Sequence, residues 1–240
     1  MVVIWRLGSV IHQGVLGAIA ASVQVAAPAP GGGTTILELL FNGANGSTVF
    51  TDTSSYNRTV TGFGAAQIST LQSVSGGSSL KLNGDPDYLQ FAWNYPLIGD
   101  FSIEVGLYVT GYSPGDAPGT SEIFSIVSDT PAVDLLLEVE QSLGNQVRFS
   151  LRDGNAGTVY FDFYSNTGLT LSTWTRVRFE VVGLVATIYF NGLANGTAPV
   201  TGNGRIQSLT IGRVGRLFAQ GITARGYTGF IDNLTVTDLE

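Results

Sequence analysis

The sequence predicts an all-β fold, two antiparallel sheets packed as a sandwich or jelly roll, preceded by an extended N-terminal arm. Three observations carry that prediction: strands written as period-two alternation, turn dipeptides between them, and a composition rich in glycine and poor in charge. Alternation is clearest in Val147-Arg148-Phe149-Ser150-Leu151-Arg152, where odd positions are apolar and even ones polar. Successive side chains of a strand face opposite sides, so such a pattern puts one face in a core and the other toward water. Val177, Phe179 and Val181 alternate in the same way with Arg178 and Glu180. Leu135, Leu137 and Val139 alternate with Asp134, Glu138 and Glu140, with Leu136 as the exception. Ala186–Phe190, Leu209–Ile211 and Phe230–Val236 read as further strands.

Asn-Gly pairs stand at 42–43, 45–46, 83–84, 191–192 and 195–196, and Asp153-Gly154 adds another. They supply the positive φ that tight hairpin turns demand. Regularly spaced short strands with such turns indicate a sandwich or jelly roll. The 32 glycines suit many turns and argue against long helices.

Hydrophobic residues make up 44% of the 240, enough for a sizeable core. Charged residues are only 12%, so Ser, Thr, Asn, Gln and Gly must cover much of the surface. The net charge is −7 and no basic cluster exists, which argues against a nucleic-acid partner. Cysteine is absent, so the fold needs neither disulfides nor thiolate chemistry.

The chain divides into residues 1–33, an apolar arm with a Pro/Gly linker, and residues 34–240, the globular domain. Val2–Ala27 is apolar and ends in small residues, as a secretory signal does. With Met1 kept, the expectation is a retained arm rather than a removed leader. His12, Gln13, Ser22 and Gln24 interrupt the run, so no membrane span is expected. Pro28-Ala29-Pro30-Gly31-Gly32-Gly33 is first stiff and then flexible. A segment this short cannot bury its own apolar surface. The arm residues Val2, Ile4, Trp5, Leu7, Val10 and Ile11 are therefore expected to pack on another subunit or partner chain, the alternative being an arm folded across its own sandwich.

Catalysis is not expected. His12 is the one histidine and lies in the arm, so a Ser-His-Asp relay has no base beside a serine of the sandwich. The composition also excludes Cys/His metal sites. Calcium is the one cofactor to weigh, since it accepts all-oxygen ligands. Asp52 and Asp232 come from opposite ends of the domain and would meet where terminal strands pair, while Asp85 and Asp87 form a second cluster. The competing reading is that these aspartates cap turns and bind backbone amides. For ligand binding, Tyr160, Asp162 and Tyr164 share one strand face by alternation. With Trp93, Arg148 and Arg176 they form the candidate glycan or interface face, because aromatic rings stack on sugars while acids and arginines hydrogen-bond hydroxyls. The same residue types serve a subunit interface.

Several segments, in order, carry a family resemblance. They are Leu39-Leu40-Phe41-Asn42-Gly43, Gly46-Ser47-Thr48-Val49-Phe50-Thr51-Asp52, Ala66-Gln67-Ile68-Ser69-Thr70, and Gly76 through Gly84 followed by Asp87-Tyr88-Leu89. Gly99-Asp100-Phe101-Ser102-Ile103-Glu104, Trp174-Thr175-Arg176-Val177, Thr187–Gly192 and Gly229–Val236 continue the series. The ordered set resembles the laminin-G-like, concanavalin A-like jelly rolls of tailed-bacteriophage virion proteins. That resemblance implies two antiparallel sheets, one of them concave. An Asp often follows the Phe of the first strand, and Asn42 stands here; two adjacent acids often close the last strand, and only Asp232 is acidic here. Both departures remove oxygen charge where related jelly rolls hold structural calcium.

Some concanavalin-like folds are glucanases, which need two carboxylates flanking one bond. Glu138 and Glu140 share a face, but the later acid of the glucanase pattern is missing, so an exposed strand face paired with arginines is expected. With the arm and linker, the resemblance implies a virion structural protein: a capsid decoration (cement) protein anchored by the arm, with the jelly roll projecting. It would be a homo-oligomer, since arms and edge strands exchange between symmetric copies. The alternative is a carbohydrate-binding fibre, spike or adhesin module that contacts host glycans.

Overall fold

The computed structural model describes residues 32–97, 99–112, 119–127, 133–153, 158–201, 209–217 and 225–240. In chain order the strands are β1 (Thr34–Leu39), β2 (Thr61–Phe63), β3 (Gln67–Ser69), β4 (Ser79–Asn83), β5 (Tyr88–Ala92), β6 (Phe101–Tyr112), β7 (Thr120–Val127) and β8 (Val133–Glu140). They continue with β9 (Gln146–Asp153), β10 (Thr158–Gly168), β11 (Thr175–Val182), β12 (Val185–Phe190), β13 (Leu193–Pro199), β14 (Ile211–Val214), β15 (Arg216–Leu217) and β16 (Arg225–Asp238).

These strands form two antiparallel sheets. One has nine strands among the described residues, in the order β13-β12-β11-β6-β16-β4-β3, with β1 and β15 also paired to β16. The other has seven, in the order β10-β9-β8-β7-β14-β5-β2. Strand β16 is the long organiser. One side pairs with β6 along nearly its whole length, while the other pairs in turn with β15, β4 and β1. The alternation predicted for β8, β9 and β11 holds, β12 forms where a strand is expected, and their inward apolar residues join one core drawn from both sheets. Phe149 of the seven-stranded sheet packs against Phe101 and Phe179 of the nine-stranded one, at ring-centroid distances of 6.4 and 5.2 Å. Such edge and tilted contacts hold the sheets in one register.

Two local readings differ from expectation. The strand expected at Leu209–Ile211 runs from Ile211 to Val214. Asn195-Gly196 lies inside β13, next to a register shift against β12, and so marks a bulge rather than a turn. Asn191-Gly192 is a hairpin turn as expected, with φ of 50° and 83°. Gly229, at φ 144°, sits at a bulge where β16 crosses β6. A Cβ there would collide with the Tyr108 carbonyl oxygen, so no other residue fits. Among the described residues no helix is long and apolar enough to cross a membrane.

Candidate functional site

The four aspartates considered for calcium are engaged by protein groups, in separate places. Asp52 accepts hydrogen bonds from the amides of Glu38 (3.0 Å), Ser54 (3.0 Å) and Arg58 (3.1 Å), and pairs with the Arg58 guanidinium at 3.2 Å. Burial pushes its carboxyl up, but the Ser54 side chain and these amides outweigh that and hold it below the ordinary value. Asp232 accepts from the amides of Val74 (2.8 Å), Ser75 (3.2 Å) and Asn233 (3.0 Å). Here burial prevails over the amides and raises the carboxyl. The two sets of partners share no residue. Asp87 binds the Ala65 amide and the Asn83 amide and side chain, while Asp85 pairs with Arg216 at 2.8 Å. Among the described residues no three His, Cys, Asp or Glu gather as a metal-ligand set. These contacts set the four aspartates at turns and strand ends.

The face of the seven-stranded sheet turned away from the core is where three of the predicted ligand residues, Arg148, Asp162 and Tyr164, meet. Register across four strands sets Glu122 (β7), Glu138 (β8), Arg148 (β9) and Tyr164 (β10) in one row. Asp162 lies beside Tyr164 on the same face of β10. Arg148 grips Asp162 with two bonds, Nε–Oδ1 at 2.7 Å and Nη2–Oδ2 at 2.8 Å. Its Nη1 reaches Glu138 at 2.9 Å, and its guanidinium lies 5.7 Å from the Tyr164 ring centre. Bidentate pairing fixes the plane of the guanidinium as well as its place. Arg152 also pairs with Asp162. Burial raises the Tyr164 phenol above its ordinary value, with Arg148 acting against it.

Three of the six predicted face residues lie elsewhere. Trp93 is 1% exposed, packs in the core, and donates its indole N–H to the Tyr95 carbonyl at 2.6 Å. A ring buried in this way cannot stack on a sugar. Tyr160 falls at a bulge in β10 and packs against the core edge, because the extra residue breaks the alternation that would have set it beside Asp162. Arg176 belongs to β11, so it lies on the outer face of the opposite sheet, paired with Glu104. Glu138 is not on an exposed face as expected. It is fully buried, and Arg225 holds its second oxygen at 2.6 Å. Glu140 accepts from Thr120 and Ser142, each at 2.7 Å. The arm residues Val2, Ile4, Trp5, Leu7, Val10 and Ile11 lie outside the described residues.

The sequence reading missed Glu122 and Arg225. Only the β7–β8 register places Glu122 opposite Glu138, and Arg225 meets Glu138 from 87 positions along the chain. It also missed a pocket of about 350 Å³ on the nine-stranded sheet, lined by Val74, Glu104, Val105, Gly106, Arg176 and Asn233.

No protein-family model matches the chain, and no curated protein matches it in sequence. Solved structures do share its fold. The binding domain of botulinum neurotoxin serotype G superposes with a TM-score of 0.62 at 18% identity, covering 85% of this chain and 48% of that one. This chain therefore spans about half the length of that structure. Domain 4 of AbnA, a GH43 extracellular arabinanase from Geobacillus stearothermophilus solved in complex with arabinotriose, gives 0.63 at 13% identity, covering 86% and 93%. The binding domain of Paraclostridial Mosquitocidal Protein 1 gives 0.64 at 13%, covering 85% and 49%. At such identities the likeness establishes the two-sheet sandwich.

Proposed function

We propose that residues 34–240 are a carbohydrate-binding module whose ligand lies on the outer face of the seven-stranded sheet, over Tyr164 and Asp162. The observation that carries this reading is the clamped Arg148. Glu138 from below and Asp162 from the side fix its guanidinium under a half-buried tyrosine. A ring beside preorganised polar groups suits a sugar, whose C–H face stacks while its hydroxyls hydrogen-bond. The arabinanase domain, solved with arabinotriose, supports it as a fold that holds a sugar chain. The module is proposed to be non-catalytic, because both oxygens of Glu138 are taken by arginines and that buried acid has none left for a scissile bond.

Titrating the full chain with arabino- and gluco-oligosaccharides tests this. Millimolar or tighter binding is expected, with Tyr164→Ala weakening it about tenfold, or ~1.4 kcal/mol. Absence of binding by the unaltered chain, or a Tyr164→Ala variant that binds as well as it does, refutes the assignment.

The virion reading is kept as a proposal on the sequence resemblance and the apolar arm. In it the arm anchors homo-oligomeric copies to a phage particle and the module faces the host. Deleting residues 1–33 is expected to abolish incorporation into particles while leaving sugar binding intact. Normal occupancy of the truncated protein, counted by quantitative mass spectrometry of purified particles, would sink it.

A further inference from the structure

The pocket on the outer face of the nine-stranded sheet is as well built as the face proposed to bind sugar, and it uses different residues. Its floor is Gly106, in the middle of β6. Gly106 is paired with Arg176 of β11 on one side and Asp232 of β16 on the other. Three neighbouring strands thus present a long side chain, nothing, and a buried carboxylate in one row. The notch lies beside Gly106. A Cβ there would stand 3.0 Å from Val74 Cγ2, 3.2 Å from the Asp232 carbonyl oxygen and 3.6 Å from Trp174 Cζ3, so Val74 and the Trp174 edge already pack close over the glycine.

Both walls are fastened. Val74 belongs to a loop tied to β16, where the Asp232 carboxylate takes the amides of Val74 and Ser75. Ser75 and the Asn233 side chain exchange hydrogen bonds at 3.2 and 2.9 Å. Asn233 itself takes a left-handed φ of 50° where the β16 register shifts against β6. Bulges that re-aim side chains concentrate at sites of this kind. Trp174 stands 5.5 Å from Tyr108, and Tyr108 5.8 Å from Phe230, so a row of rings runs alongside. The Trp174 indole N–H is buried and has no hydrogen-bond partner among the described residues.

We infer that this pocket is a second binding site, for a single neutral monosaccharide unit, with Glu104 and Arg176 engaging adjacent hydroxyls. The inference rests on the carbohydrate-binding reading. Its volume of about 350 Å³ lies at the small end of ligand pockets, enough to enclose one ring rather than a chain. Val74 and Gly106 offer apolar contact for the C–H face. Glu104 accepts from one hydroxyl and Arg176 donates to the next. Their mutual pair is easily exchanged for the ligand, since the Arg176 side chain is 63% exposed and a surface ion pair contributes little. One carboxylate and one guanidinium leave the lining without net charge, which favours a neutral unit over an acidic one.

Calorimetric titration of the full chain with neutral oligosaccharide tests this. The unaltered chain is expected to bind at two sites. Arg176→Ala and Val74→Trp, both at exposed positions, are each expected to weaken one site at least tenfold and leave the other unchanged, while Tyr164→Ala does the converse. Circular dichroism and thermal melting are expected to be unaltered in all three. If Arg176→Ala and Val74→Trp both bind as the unaltered chain does, the second site is wrong while the carbohydrate reading stands. If the unaltered chain binds no sugar, both fall. If a sialylated or uronate-terminated oligosaccharide binds more tightly in an Arg176-dependent way, the assignment to neutral sugars is overturned.

Discussion

Replacing Asp52 with alanine is expected to destabilise the domain by about 3–5 kcal/mol, the range for stranding a buried charge. The variant leaves the Arg58 guanidinium, whose side chain is 4% exposed, without its carboxylate. It also leaves the amides of Glu38, Ser54 and Arg58 without the acceptor they share. Arg58 cannot turn to water easily, because it lies 4.7 Å from the Tyr56 ring centre and 4.9 Å from that of Trp93 and also donates to the Ile36 carbonyl. Asp52→Asn keeps an acceptor and is expected to lose less. Chemical denaturation of the three proteins at pH 7 checks the order.

The same carboxylate predicts a pH dependence. Asp52 has its folded-state carboxyl below the ordinary 3.8, so its contribution is complete above that value. It is lost as pH falls through the depressed folded value. The deficit of Asp52→Ala is therefore expected to be full at neutral pH and to shrink under strongly acid conditions. Asp232 has the opposite sign. Its carboxyl is raised above 3.8 by burial, so its contribution is present below 3.8 and lost as pH rises through the raised value. Asp232→Asn should leave an acid-branch profile governed more purely by Asp52. A deficit for Asp52→Ala that is constant from pH 7 to pH 2 would contradict the assignment.

Glu138→Ala is the second large effect, expected near the low end of the same range, about 3 kcal/mol. The carboxylate is fully buried between Arg148 and Arg225, whose side chains are 15% and 24% exposed. Those arginines can partly rehydrate where Arg58 cannot. That lowers the figure below the one for Asp52. The change should reach the ligand face as well, because Arg148 loses the anchor beneath it while keeping Asp162. Weaker oligosaccharide binding is therefore expected alongside the lower denaturation midpoint. A double-mutant cycle of Glu138→Ala with Arg225→Ala isolates the pair, and a coupling energy near zero would show that Arg225 does not hold the carboxylate.

Much of the fold was legible in the chain itself. Alternation in β8, β9 and β11 identifies inward residues because a strand's period of two is local, set by backbone geometry alone. Asn191-Gly192 was legible for the same reason: positive φ is demanded and met by two adjacent residues. The adjacency of Arg148 and Glu138 was within reach too, since β8 and β9 are consecutive strands joined by a short turn.

What the tertiary structure decided was everything that depends on which strands become neighbours. Arg148 and Arg176 look alike along the chain, each outward on an alternating strand, yet they lie on opposite sheets and serve different surfaces. Alternation tells inside from outside on one strand and carries no label for the sheet. The bulge at Tyr160 and the shift at Asp232 come from pairing with a partner strand, so one inserted residue moves a side chain between faces without any local mark. The chain leaves Trp93 open between a rim ring and core, and the structure makes it core, because burial belongs to the assembled sandwich and not to residue type. The notch at Gly106 exists only because β11, β6 and β16, distant in the chain, set Arg176, Gly106 and Asp232 side by side.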